Sequence, residues 1–70
     1  MGGQGLAAGG LSPREEEIMA MLGRGETNDE IAGALGISAH TVQTSFARMI
    51  EKLALGGMKE LRKRAISGQR

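Results

Sequence analysis

The sequence predicts an all-α fold, one small domain built from four short helices. Three observations carry this. Apolar residues recur at helical spacing in four separate stretches, residues that favour helix starts and stops bracket those stretches, and no alternating apolar–polar run of the kind a strand needs is present. With 70 residues, 12 of them glycine, about 55 remain for a folded unit, near the lower limit at which a chain holds a core alone. Phe46 is the only aromatic residue and methionines stand at several apolar positions. The expected core is therefore soft and stable by only about a few kcal/mol, with no room for a large ligand pocket.

Residues 1–10, with five glycines and no apolar period, read as a flexible tail or linker before a domain spanning 11–67. In the first helix Ser12 is the N-cap, Pro13 occupies the first helical position, and Glu15 completes a capping box. Ile18, Met21 and Leu22 form its inner stripe, and Gly23 and Gly25 bracket its exit. The acidic run Glu15–Glu17 suits the positive end of the helix dipole and reads as a solvated helix terminus, not a catalytic carboxylate pair. Thr27 and Glu30 form a second capping box, opening a helix of about two turns with Ile31, Ala34 and Leu35 facing inward. Gly36 stands where a helix end favours positive φ, and Ile37 follows as a buried corner. Ser38 caps a third helix, residues 39–53, which Gly56 and Gly57 close. Met58, Leu61, Ala65 and Ile66 give a fourth, residues 58–66, and residues 68–70 should fray.

Two helical patterns joined by so sharp a corner, over residues 27–46, have the form of a helix-turn-helix. Val42, Phe46, Met49, Ile50 and Leu53 fall within an arc of roughly 100°, the width of a core-facing stripe. Gln43, Thr44, Ala47, Arg48 and Glu51 then look outward. A helix that is anchored on one side and bears small and polar residues on the other fits a DNA major groove. Charge is distributed to match. Residues 14–30 sum to −4, residues 38–53 to +1 and residues 56–70 to +4, so the second half would face a polyanion.

Other chemistry finds little support. Without cysteine, neither a disulfide framework nor a thiolate metal site can form, and His40 has no second histidine with which to share a metal. Met19, Met21 and Met49 read as core filler. Ser12 and Ser38 are caps with no base at a spacing suited to nucleophilic catalysis. Neither enzyme activity nor a cofactor is expected. No apolar run approaches the ~20 residues of a membrane span, and residues 1–10 lack the basic start and apolar stretch of a secretion signal. The chain reads as cytoplasmic.

The stretch LSPREEEIMAMLGRGETNDEIAGALGISAHTVQTS, the apolar spacing through EKL and the closing LALGGMKELRKRAI resemble the DNA-binding domain of the LuxR/GerE/NarL family of bacterial transcription regulators. The resemblance implies a four-helix domain, the output domain of a cytoplasmic regulator that usually carries an N-terminal sensor or receiver domain. It further implies a third helix that reads double-stranded DNA. Gln43 and Thr44 would meet base edges with Ala47 beside them, and Arg48 and Lys52 would meet phosphates. Thr41, with Ser38 and His40 at the same helix start, and Thr27 and Asn28 on the second helix, would bond the backbone. The resemblance also implies a dimer through the fourth helix, at Met58, Leu61, Arg62 and Ala65. That stripe must cover the domain's own core, and Arg62, Lys63 and Arg64 bring like charges together. The homodimer is accordingly expected to be weak or DNA-dependent.

Three positions depart from the family pattern. Gln43 stands where lysine is usual, Ser45 where histidine is frequent and Glu51 where a basic residue is common, and all three reduce positive charge on the reading helix. The rival reading keeps the fold and changes the partner: a charge-depleted helix-turn-helix that binds protein, as region 4 of sigma factors contacts RNA polymerase. The segment from Met58 to Arg70 favours the regulator family.

Overall fold

The structure is a computed structural model that describes residues 10–68. The chain forms α1 (Pro13–Gly23), α2 (Asn28–Leu35), α3 (Ala39–Lys52) and α4 (Met58–Ser67), with no strand among the described residues. The expected flexible tail and frayed end lie outside the described residues except for Gly10 and Gly68.

Three of the four helices start at side-chain caps. Ser12 Oγ accepts the Glu15 N–H at 3.2 Å while Glu15 Oε1 accepts the Ser12 N–H at 2.9 Å. Thr27 and Glu30 repeat the exchange at 3.1 and 2.8 Å. Ser38 Oγ accepts the Thr41 N–H at 3.1 Å. Each device satisfies donors that an isolated helix start leaves unpaired. α4 begins at Gly57 with no side-chain cap.

The first three helices end alike. A residue with left-handed backbone (Gly25, φ 85°; Gly36, φ 70°; Ala54, φ 56°) lets the next N–H fold back onto a carbonyl five residues earlier. These bonds are Glu26 to Met21 at 3.2 Å, Ile37 to Ala32 at 3.0 Å and Leu55 to Ile50 at 2.9 Å. The third corrects the sequence expectation, because the left-handed residue that closes α3 is Ala54, two past Lys52, and not either of the Gly56–Gly57 pair. An alanine there carries a steric cost of about 1 kcal/mol that glycine would avoid.

α1 packs chiefly on α4 and α2 on α3, while α3 also reaches α1 and α4. The core consists of Ile18 and Leu22 from α1, Ile31 and Ala32 from α2, Val42, Phe46 and Met49 from α3, and Leu61 and Ala65 from α4. Ile37, Ile50, Leu53, Met19 and Met21 are partly buried against it. Ala34 is exposed and Ala32 takes its place. At about 100° per residue, Ala32 and Leu35 lie to the same side of Ile31, towards α3, and Ala34 lies to the other. Ile66, expected in the stripe of α4, is 55% exposed. Leu61, Ala65 and Met58 share an arc of about 60° and Ile66 falls about 80° beyond it. Leu61 and Ala65, expected at a dimer contact, are instead 0% and 2% exposed within the protomer's own core.

Glu15 corrects the picture of a wholly solvated acidic run. Glu16 and Glu17 are exposed, but Glu15 is buried, and its Oε1 accepts a bond from Lys52 Nζ at 2.7 Å. The pair joins the first turn of α1 to the last turn of α3, and the same oxygen closes the capping box. Burial pushes the Glu15 carboxyl up, but the bonds from Lys52 and Ser12 outweigh it and hold the group below its ordinary value of 4.5.

Two outcomes follow from this packing. Phe46 is 4% exposed, so Phe46→Ala should cost about 3 to 5 kcal/mol, approaching the whole stability of so small a domain. A cooperative melt within a few degrees of wild type would contradict the central place of the ring. A depressed folded-state carboxyl stabilises above its unfolded pKa and loses that contribution as pH falls through the folded value. Glu15→Gln should therefore be less stable than wild type at neutral pH, with the gap narrowing on acidification below about 4.5. Denaturant melts of both proteins across pH check this, and a gap that is constant with pH would refute it.

Candidate nucleic-acid interface

The face of α3 opposite the core is bare. Thr41, Gln43, Thr44, Ala47, Arg48 and Glu51 are all exposed, as their positions outside the Val42–Phe46–Met49 stripe dictate. Thr44 sits almost opposite the centre of that stripe. At about 100° per residue Gln43 and Ala47 occupy the shoulder next to Ile50, and Arg48 and Lys52 the other shoulder. The two halves of the helix-turn-helix are locked at the corner by the left-handed Gly36 and the Ser38 cap.

Three hydroxyls at this face and its leading edge are already engaged. Ser38 Oγ and Thr41 Oγ1 lie 2.9 Å apart and share a hydrogen bond. Thr44 Oγ1 donates to the His40 carbonyl at 3.1 Å, turning its hydroxyl back along the helix. What Thr44 offers outward is a methyl group and hydroxyl lone pairs, but no proton. His40 itself is exposed.

The other predicted residues separate into those that join this face and those that do not. Asn28, half-buried at the start of α2, lines a cleft with Gln43, Ala47 and Ile50 of α3 and Met58 and Arg62 of α4. Thr27 is exposed one residue earlier and its hydroxyl serves the cap. Lys52, expected at a phosphate, is engaged by Glu15 on the α1 side. No sequence signal links those two residues, which stand 37 positions apart.

Ion pairing divides the cations. Arg14 pairs with Glu17 at 3.4 Å, Arg24 with Glu26 at 3.1 Å and Lys52 with Glu15 at 2.7 Å. Among the described residues Arg48, Lys59, Arg62, Lys63 and Arg64 take part in no such pair. The unpaired positive charge thus lies on α3 and α4. No cluster of three metal-ligating side chains occurs among the described residues, and no helix there is long and apolar enough to cross a membrane.

The family model described as "Bacterial regulatory proteins, luxR family" matches residues 10–65, which takes in all four helices up to Ala65. The chain belongs to that family. Its similarity to individual relatives agrees with this. It is 39% identical over 54 residues to the tetrathionate response regulatory protein TtrR of Salmonella typhimurium, which covers 77% of this chain and 26% of that protein. It is 32% identical over 50 residues to the HTH-type transcriptional regulator MalT of Serratia proteamaculans, covering 71% of this chain and 6% of MalT. It is 39% identical over 56 residues to the uncharacterized response regulatory protein YgeK of Escherichia coli, covering 80% of this chain and 38% of YgeK. The chain thus spans well under half the length of each of these relatives. No solved structure matched it.

Proposed function

We propose that this luxR-family domain binds double-stranded DNA in a sequence-specific manner as the output unit of a bacterial transcription regulator, with α3 in the major groove. The observation that carries the reading is the two-sidedness of α3. Its apolar stripe is held by the three other helices, and its opposite face presents Gln43, Thr44 and Ala47 with no partner from the rest of the domain. Gln43 is suited to bond adenine, and Thr44, its proton engaged by His40, reads through its methyl and lone pairs. Arg48 positions the helix on phosphate, and the helix starts at Ser38, His40 and Thr41 and at Thr27 and Asn28 approach the backbone. Lys52 drops out of this set because Glu15 holds it.

Selection from random duplexes tests the assignment. Gln43→Ala or Thr44→Ala should shift preference at one or two base pairs by about 1 to 3 kcal/mol. Unchanged preference in both variants, with binding intact, would move the reading surface elsewhere. The rival is a protein-interaction module, such as one that contacts RNA polymerase, and it draws on the single unpaired cation of α3, Arg48. Such a module should give no retardation of random duplex at low salt and micromolar protein.

Association through α4 is proposed to be weak or DNA-dependent. Leu61 and Ala65 are committed to the core, which leaves Ile66 as the large apolar side chain in the open among the described residues, flanked by unpaired Arg62, Lys63 and Arg64. Sedimentation should show monomer at micromolar concentration without DNA, and a tight dimer under those conditions would contradict the argument.

A further inference from the structure

We infer that Arg62, on α4, is a DNA-backbone contact of this domain and supplies the cation that one shoulder of α3 lacks. The inference rests on the DNA-binding reading above and extends its surface to a second helix. A helix lying in the major groove runs between two phosphate walls, so a cation is useful on each side of it. The two cations of α3, Arg48 and Lys52, both lie on the shoulder that turns towards α1, and Lys52 is held there by Glu15. The opposite shoulder, with Gln43 and Ala47, has no cation of its own.

α4 is the neighbour on that side. It carries Lys59, Arg62, Lys63 and Arg64, none of them in an ion pair among the described residues. Lys63 and Arg64 line a different cleft, with Leu55 and Ser67, to which no residue of α3 contributes. Arg62 is the one cation of α4 that lines the cleft shared with Asn28, Gln43 and Ala47. It is exposed, and a guanidinium presents a fork of donors that fits a phosphate in bidentate fashion. Arg62 lies about 40° beyond the arc of Met58, Leu61 and Ala65, and in a symmetric α4 pairing its charge would meet its own copy. Facing DNA, the same charge is attracted. With Arg48 on one shoulder and Arg62 beyond the other, the reading face is bracketed by positive charge.

Salt titrations of binding to a random-sequence duplex and to one selected duplex, for wild type, Arg62→Gln, Arg62→Lys and Lys63→Gln, test the inference. Arg62→Gln should lower the slope of log affinity against log salt by about 0.9 and weaken both duplexes several-fold by a similar factor. Arg62→Lys should keep the slope, and Lys63→Gln should leave it near wild type. Since Arg62 takes no part in the core, melts should confirm that every variant is folded. A wild-type slope in folded Arg62→Gln overturns the inference while leaving the DNA reading intact, as does an equal loss in Lys63→Gln, which would mark a general charge effect. Arg62→Gln that forms a tighter dimer with an unchanged slope would place Arg62 at a protein contact. Wild type that binds no duplex overturns the DNA reading and this inference together.

Discussion

The burial of one stripe of α3 is the constraint on which the rest of the domain depends. Val42 and Met49 are 0% exposed and Phe46 4%, and the residues that cover them come from all three other helices. Each of those helices is too short to be stable alone. α2 persists because α3 gives it something to cover, α1 and α4 persist by covering each other as well as α3, and the far side of α3 stays bare. In a chain of this size little apolar surface is left over, so almost every large apolar residue of the folded unit lies against this one cluster.

The buried Glu15 adds direction to that packing. Apolar contacts hold a helix against its neighbours but tolerate small rotations and slides, because methyl groups are interchangeable to a contacting surface. A carboxylate that accepts both the Ser12 N–H and the Lys52 ammonium is less forgiving. It fixes where the last turn of α3 sits relative to the first turn of α1, while the left-handed Gly36 and the Ser38 cap fix the other end. The helix is therefore held at both ends and along one side.

The local chemistry of the fold was legible in the sequence and its long-range chemistry much less so. The capping boxes at Ser12 and Thr27, the Ser38 cap and the stop at Gly36 follow from residues three or four positions apart, and all of them form. Ala54 was missed because its left-handed turn has no residue signature, and glycines two positions later offered a more obvious stop. Ile66 was misplaced because a short helix with four apolar residues admits more than one stripe, and the position of α1 decides between them. The Glu15–Lys52 pair and the nearness of Arg62 to Gln43 and Ala47 come from helices meeting in space, which no periodicity within one helix records. The outward face of α3, by contrast, follows directly from the position of its apolar stripe.

That bare face has an evolutionary consequence. Gln43, Thr44 and Ala47 make no contribution to the buried cluster, so exchanging them should leave stability within about 0.5 kcal/mol. Substitutions there are also free of the coupling that links neighbouring core positions. A lineage carrying this scaffold can thus drift through many combinations at these three sites, on an unchanged frame, without passing through an unfolded ancestor. Val42, Phe46 and Met49, on the same helix and one turn away, have no such latitude. One fourteen-residue helix therefore carries two tolerances to substitution.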